Sequence, residues 1–179
     1  MLSLLPPLRK HFDSLEDRLI LFARQGIQVE GWFKGETLLV LSRLLSEGTI
    51  GALDRKVRFP EGRVDITVTH RGQLHLLELK HWLVGHQREY KYKTGFYFTD
   101  RTSVGIVPDV SKLARIQSLG AKWLMLFVTA RPEPDVWDKG VSVFNSKFFP
   151  FHLTAHTSPA GFPEAYFLGL LQVLKGTDA

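Results

Sequence analysis

Alternation of apolar and polar residues predicts three consecutive strands in the middle of the chain. The second reads V-D-I-T-V-T and the third L-H-L-L-E-L-K, with β-branched or apolar residues in a period-two pattern. A later segment, K-W-L-M-L-F-V-T, is almost wholly apolar, which is typical of a buried strand. The predicted strands are Ala52–Phe59, Arg63–His70, Gln73–His81 and Lys122–Thr129, with a further strand around Val141–Phe144.

Apolar residues at helical spacing predict two helices before these strands. The first begins at Asp13, with Glu16 three residues on as in a capping box, and ends at Gly26. The second begins near Gly35 or Glu36 and ends by Gly48. Two later helices are predicted at Ser111–Leu119, opened by Pro108-Asp109, and at Pro163–Leu174, where the chain is amphipathic.

The order of these elements defines a fold class. From Glu36 to Thr129 it is helix, three strands, helix, strand, which favours an α/β protein with a central mixed sheet flanked by helices. A length of 179 residues suits a single domain. We place its core at about 35–130, with an N-terminal helical extension at 1–34 and a C-terminal strand and helix extension at 131–179.

Composition and charge narrow the class of protein. The chain has no cysteine, which excludes a disulfide scaffold and thiolate zinc sites. It shows no signal-peptide pattern, and its best apolar run is much shorter than the roughly 20 residues that cross a bilayer, so we expect a soluble, cytoplasmic protein without a membrane partner. The net charge is +5, and residues 81–123 hold seven Lys or Arg against three acids. A local basic excess suits a polyanion, although solvated surfaces also show it.

The second and third strands predict a hairpin whose register can be counted. If Arg71-Gly72 is a two-residue turn, Asp65 lies opposite Glu78, and Lys80 joins Glu78 on the same face. A three-residue turn with Gly72 in a bulge would instead pair Asp65 with Leu77. The turn sequence alone leaves both registers open.

In the first register the two carboxylates form a candidate metal site. Like charges across a strand pair cost about 0.2–1 kcal/mol, so such a pair favours a cation between them. Two carboxylates with waters and phosphate oxygens suit Mg²⁺ or Mn²⁺. The adjacent ammonium of Lys80 would orient the attacking water and offset charge in the transition state. His81 points to the opposite face, where a structural role is expected.

These motifs resemble a known superfamily. R-V-D-I-T-V followed by L-L-E-L-K is similar to the PD-(D/E)xK, or restriction-endonuclease-like, nucleases. The upstream G-E-T-L-L-V-L-S-R-L-L and the downstream E-L-K-H-W-L-V-G resemble the nuclease-related domain branch, called NERD. The resemblance covers roughly residues 35–130. Val64 stands where a proline often precedes the metal-binding aspartate, a departure that the superfamily tolerates.

The resemblance implies a restriction-endonuclease-like core and metal-assisted hydrolysis of phosphodiester bonds. Asp65 and Glu78 would be metal ligands, with the Leu79 carbonyl as a third, and Lys80 would be the catalytic lysine. Glu36 would match the helical glutamate that often completes the metal shell, or it is simply a favourable acid in a first helical turn. The glutamine that many relatives carry after the lysine strand has no assigned counterpart.

Basic residues near this hairpin are candidates for binding nucleic acid. They are Lys91 and Lys93, in the Tyr-rich stretch Arg88–Val107, which we expect to be extended, and Lys112 and Arg115, three apart on the predicted helix. A solvated strand edge is the alternative for the first two.

We expect a Mg²⁺-dependent endonuclease acting on DNA. The alternatives are an RNA-directed nuclease and an inactive nucleic-acid-binding or scaffold domain of the same fold, and no residue pattern supports a homo-oligomer.

Overall fold

The chain forms a mixed β-sheet with helices on both faces. The structure, a computed structural model, describes residues 1–83, 98, 105–129, 134–147, 151–157 and 166–175. Within this part of the chain the sheet has six strands in the order β1-β2-β3-β4-β6-β5. Neighbouring strands are antiparallel except β3 and β4, which are parallel. The strands are β1 Ala52–Phe59, β2 Gly62–His70, β3 Gln73–Leu83, β4 Ala121–Thr129, β5 Phe151–Thr157 and β6 Tyr166–Lys175.

Five helices accompany this sheet in the described residues. They are α1 Leu5–Asp13, α2 Glu16–Gln25, α3 Glu30–Ser46, α4 Val107–Arg115 and α5 Pro134–Lys147, with a 3₁₀ turn at Leu2–Leu4. On one face of the sheet, Phe127 of β4 stacks on Phe33 of α3 with ring centroids 5.0 Å apart and contacts Phe12 of α1 at 5.2 Å. The opposite face of β3 carries Glu78 and Lys80, whose charged groups meet α4. The sheet therefore separates α1 and α3 from α4.

The predicted α/β class and the central strands are confirmed. β1 has the predicted bounds, and β2, β3 and β4 extend the predicted strands by one or two residues. In the described residues from α3 to β4 the order is helix, three strands, helix, strand. Alternate residues of the hairpin face the core, and its apolar face is fully buried. That face consists of Val64, Ile66, Val68, Leu77 and Leu79.

The predicted start of the first helix was wrong. Asp13 is the last residue of α1, and α2 follows with Leu15 at its N-cap. The prolines Pro6 and Pro7 lie in the first turn of α1, where the missing backbone N–H groups cost nothing. The predicted end was correct, because Gly26 caps α2 in the left-handed conformation with φ 62°.

The second helix begins earlier than predicted. α3 starts at Glu30 and includes Gly31 and Gly35, which weaken the helical pattern of its first turns. Burial of Phe33 compensates for the poor propensity of these residues. The third predicted helix is also shifted, because α4 spans Val107–Arg115 and Ile116 already has an extended backbone, with ψ 120°.

Two predictions beyond residue 130 were wrong. The strand expected around Val141–Phe144 lies within α5, and the helix expected at Pro163–Leu174 is replaced by the strand β6. β6 pairs with β4 on one side and β5 on the other, and the consecutive residues Leu170 and Leu171 are both fully buried. A strand buried on both faces is apolar throughout, and its sequence resembles that of a buried helix. The predicted extended stretch Arg88–Val107 lies mostly outside the described residues.

No helix in the described ranges has both the length and the apolar character needed to cross a membrane.

Candidate active site

The turn between β2 and β3 sets the register of the hairpin. Arg71 and Gly72 have φ values of 51° and 74°, and His70 pairs directly with Gln73. Two consecutive residues with positive φ are typical of a two-residue type I′ turn, which fits the twist of paired strands. The two-residue turn is therefore confirmed, and the alternative pairing of Asp65 with Leu77 is wrong, because Leu77 pairs with Ile66.

Asp65 lies where β2 and β3 stop pairing. The ladder ends with Ile66 opposite Leu77, and one more step in the same register places Asp65 opposite Glu78. The Leu79 backbone N–H donates a hydrogen bond to Asp65 Oδ2 over 3.0 Å. This bond holds the carboxylate of β2 against the main chain of β3, next to Glu78.

Glu78 is a buried carboxylate with one free oxygen. The residue is 8% exposed, and its Oε1 accepts from Lys112 Nζ at 2.7 Å. Its Oε2 is buried without a hydrogen-bond partner among the described residues. Burial raises the pKa of Glu78 to about 7, while the hydrogen bond from Lys112 opposes that rise and the charge of Asp65 adds to it. The free oxygen is a position at which a ligand would satisfy a buried polar atom.

Helix α4 supplies charges to the same face of β3. Lys80 Nζ donates to Asp109 Oδ2 over 2.8 Å, and Lys112 Nζ lies 3.8 Å from Asp109 Oδ1. Asp109 is in the first turn of α4, where the helix dipole favours an acid. The apolar side of α4, formed by Val110, Leu113 and Ala114, is buried and fixes the helix against the sheet.

Helix α3 reaches the site through Lys34. Its Nζ lies 3.1 Å from Asp65 Oδ2 and 2.9 Å from Glu30 Oε1. Burial acts to lower the pKa of Lys34, but the carboxylates of Glu30 and Asp65 outweigh burial and raise it above its usual value. Lys34 therefore links the carboxylate of Glu30, on α3, to that of Asp65.

Glu36 does not join this group. Its Oε2 lies 2.6 Å from His11 Nε2 of α1, so the carboxylate is directed toward the contact between α1 and α3. Glu30 and Lys34 are four residues apart and share one side of α3, whereas Glu36 follows Lys34 by two residues and points elsewhere. The expectation that Glu36 completes the metal shell is thus not supported by its placement.

The other predicted residues divide into three groups. Lys91 and Lys93 lie outside the described residues. Lys112 is directed at Glu78, while Arg115 is exposed and its Nε donates to the Ser111 carbonyl over 3.1 Å. His81 is buried on the opposite face of β3 from Lys80, as predicted, where its Nδ1 accepts from the Val29 backbone N–H over 3.3 Å.

Three site residues were not predicted: Glu30, Lys34 and Asp109. The pairs Glu30–Lys34 and Asp109–Lys112 have the spacing of same-side helical neighbours. That spacing is common on solvated helices, so it gave no signal for a site. The tertiary contacts with Asp65 and Glu78 distinguish these pairs.

The carboxylates fit a hard divalent cation. No cluster of three or more Asp, Glu, His or Cys side chains with the geometry of a metal centre occurs in the described ranges. Mg²⁺, however, is commonly held by one or two carboxylates, with waters and substrate phosphates completing its shell. Asp65 and Glu78 supply two carboxylates, and Glu78 Oε2 is a buried oxygen that has no hydrogen-bond partner in the part of the chain that the structure describes.

Comparisons of the chain with protein-family models, with curated proteins and with solved structures found no match.

Proposed function

We propose that this protein is a metal-dependent endonuclease that hydrolyses phosphodiester bonds in DNA. The observation that carries the proposal is the proximity of the Asp65 and Glu78 carboxylates. Asp65 Oδ2 accepts from the backbone N–H of Leu79, the residue after Glu78, and a Glu78 oxygen is buried without a partner among the described residues. Lys34 pairs with Asp65 and Lys112 pairs with Glu78. The second Glu78 oxygen is still left without a partner among the described residues, and a bound cation would satisfy it.

The fold supports a place among the restriction-endonuclease-like proteins. Among the described elements, the order from α3 to β4 matches the helix, three strands, helix, strand order implied by the PD-(D/E)xK resemblance. The carboxylates of that motif lie on the hairpin, and Lys80 follows Glu78 by two residues on the same face of β3. Assignment to the NERD branch rests on the sequence resemblance.

The mechanism gives each residue of the cluster a task. A divalent cation, Mg²⁺ or Mn²⁺, would polarise the scissile phosphate and lower the pKa of a water. Asp65 and Glu78 would hold it, with the Leu79 carbonyl as a further ligand. The Lys80 ammonium orients the attacking water and offsets charge on the phosphoryl oxygens. Asp109, in contact with Lys80 Nζ, fixes the direction of that ammonium.

Glu30 takes the role that the sequence resemblance gave to Glu36. Its carboxylate is linked to Asp65 through Lys34, whereas the Glu36 carboxylate is paired with His11. DNA is the proposed partner, with Arg115 of α4, Lys91 and Lys93 as phosphate contacts and the cytoplasm as the location. Of these, Arg115 is exposed in the structure.

Cleavage assays test the proposal. Plasmid, single-stranded DNA and RNA are incubated with the protein and Mg²⁺ or Mn²⁺, beside Asp65→Ala, Lys80→Ala and the surface control Asp54→Ala. We expect metal-dependent cleavage of DNA by the wild type and Asp54→Ala, and loss of cleavage in the two site variants. Cleavage of RNA alone would reassign the substrate, and cleavage that survives Lys80→Ala unchanged would refute the mechanism.

A second candidate function is an inactive nucleic-acid-binding or scaffold domain of the same fold. One observation favours it: Lys34, Lys80 and Lys112 each lie against a carboxylate, so much of the site charge is balanced without a metal. Metal-independent binding of DNA or RNA, with no cleavage of any substrate, would establish this function in place of the nuclease.

A further inference from the structure

The ammonium group of Lys112 lies where a cation bound to Glu78 would lie. Lys112 Nζ is 2.7 Å from Glu78 Oε1, and the two side chains are 21% and 11% exposed. The second oxygen, Oε2, has no hydrogen-bond partner in the described part of the chain. Lys112 thus neutralises Glu78 through one oxygen and leaves the other unsatisfied, so the pair is an incomplete substitute for a metal shell.

The path of Lys112 to Glu78 depends on a glycine. A Cβ atom at Gly62, the first residue of β2, would lie 3.1 Å from Lys112 Cγ and 3.2 Å from Cδ. Gly62 has φ 149°, which side chains rarely adopt. The aliphatic stem of Lys112 therefore crosses the start of β2 at van der Waals distance, along a surface with no side chain to obstruct it.

The charged groups around Asp65 and Glu78 form a cluster whose charges do not cancel. The cluster consists of four carboxylates and three ammonium groups, those of Glu30, Asp65, Glu78, Asp109, Lys34, Lys80 and Lys112. When all of them are ionised, the cluster carries one net negative charge. A divalent cation alone would make the cluster positive by one charge. A divalent cation together with one phosphodiester group would make it neutral, which favours occupation by both.

We infer that Lys112 is an exchangeable counter-ion, which holds Glu78 in the metal-free protein, yields that carboxylate to a divalent cation and then binds a phosphate of the nucleic acid. The inference rests on the proposed nuclease function. Asp109 Oδ1, 3.8 Å from Lys112 Nζ, gives the displaced ammonium a nearby partner. Metal binding and phosphate binding are coupled through this one side chain.

Titration calorimetry with Mn²⁺, without nucleic acid, tests the exchange. Lys112→Met keeps the apolar stem and removes the competing ammonium, so it should bind Mn²⁺ about tenfold more tightly than the wild type, which corresponds to about 1.4 kcal/mol. Lys112→Arg, which keeps the charge, should stay near the wild type. Lys80→Met removes the same charge from the cluster without freeing a Glu78 oxygen, so its gain should be smaller.

The result of this titration distinguishes failure of the exchange from failure of metal binding. If Lys112→Met binds Mn²⁺ no more tightly than the wild type or Lys80→Met, the exchange is refuted and the nuclease proposal stands. If neither the wild type nor Lys112→Met binds Mn²⁺, the metal-dependent function itself fails, and the inference with it. Circular dichroism confirms folding, and Lys112→Gln provides the same comparison if Lys112→Met does not fold.

The phosphate contact is measured separately, by the salt dependence of binding to a DNA oligonucleotide. The measurement uses a Lys80→Ala background to prevent cleavage, with Mn²⁺ or with EDTA. In Mn²⁺, adding Lys112→Met should reduce the slope of log K against log salt by about 0.9, the value for one phosphate contact. In EDTA the slope should not change, and Lys139→Met, at an exposed site on α5, serves as the control. An unchanged slope in Mn²⁺ would refute the phosphate contact.

Discussion

Lys80 of β3 and Asp109 of α4 form an ion pair, with Nζ and Oδ2 2.8 Å apart and side chains 16% and 17% exposed. The pair joins the lysine of the E-L-K motif to a helix that begins 27 residues later. A lysine has many rotamers in solution, and a partly buried carboxylate selects the one that faces the hairpin.

The first prediction concerns this pair. Asp109→Ala should lower kcat for DNA cleavage about 10- to 100-fold, as is usual for partners that orient groups at a metal site. KM should change little, because the lost interaction acts on the transition state. Asp109→Asn keeps an acceptor for Lys80 and should recover part of the rate. Steady-state kinetics measure both variants, and a wild-type kcat in Asp109→Ala would remove Asp109 from the mechanism.

The second prediction concerns the pH dependence of stability. Burial lowers the pKa of His81 from 6.5 to about 4. Between these two pH values the unfolded chain binds a proton at His81 that the folded protein does not. The contribution of His81 is present above pH 6.5 and is lost as the pH falls toward 4. The loss should reach at most about 3.5 kcal/mol, because each pKa unit corresponds to about 1.4 kcal/mol.

The His81→Asn variant isolates this contribution. Asparagine cannot be protonated but keeps an acceptor for the Val29 N–H. Urea unfolding between pH 4 and 7 should show the stability difference between wild type and variant shrinking as the pH falls, while carboxylate effects common to both cancel. Parallel curves would mean that His81 does not titrate on unfolding.

The third prediction concerns the packing of Gly120, the residue before β4, against β3. A Cβ at Gly120 would overlap Leu76 Cδ1 and lie 3.1 Å from Leu74 Cγ. Leu76 is fully buried, so Gly120→Ala should destabilise the fold by about 1–3 kcal/mol. Gly35→Ala, in α3, meets open space and should stabilise by about 0.5–1 kcal/mol. Urea unfolding of both variants measures the difference, and a change of the same sign in both would contradict this account of packing.

Much of the hairpin was predictable from sequence because its register follows from local rules. Alternation identifies β2 and β3, the turn at Arg71-Gly72 aligns them, and counting places Asp65 opposite Glu78, one step beyond the last paired residues, Ile66 and Leu77. The β6 strand was not predictable in the same way. Its apolar run lies between β4 and β5, and only pairing with those strands distinguishes it from a helix.

The candidate site was predictable only in part, for a related physical reason. Asp65, Glu78 and Lys80 lie on one hairpin, so the sequence places them together. Lys34 and Asp109 come from helices on opposite faces of the sheet, and long-range packing determines that they meet the hairpin. Glu36 shows the converse case. α3 begins at Glu30 rather than near Gly35 or Glu36, so Glu30 lay outside the predicted helix, and Glu36 itself is paired with His11.

The central claim is that Asp65 and Glu78 together hold a divalent cation, and the effect of metal on unfolding tests it most directly. At Mg²⁺ or Mn²⁺ concentrations 100 times the Kd, the free energy of unfolding of the wild type should rise by about 2.7 kcal/mol. Asp65→Asn and Glu78→Gln should each abolish that gain, while Asp54→Asn, at an exposed site on β1, should retain it. A wild type that gains no stability from either metal, or a gain that survives in both site variants, would contradict the claim.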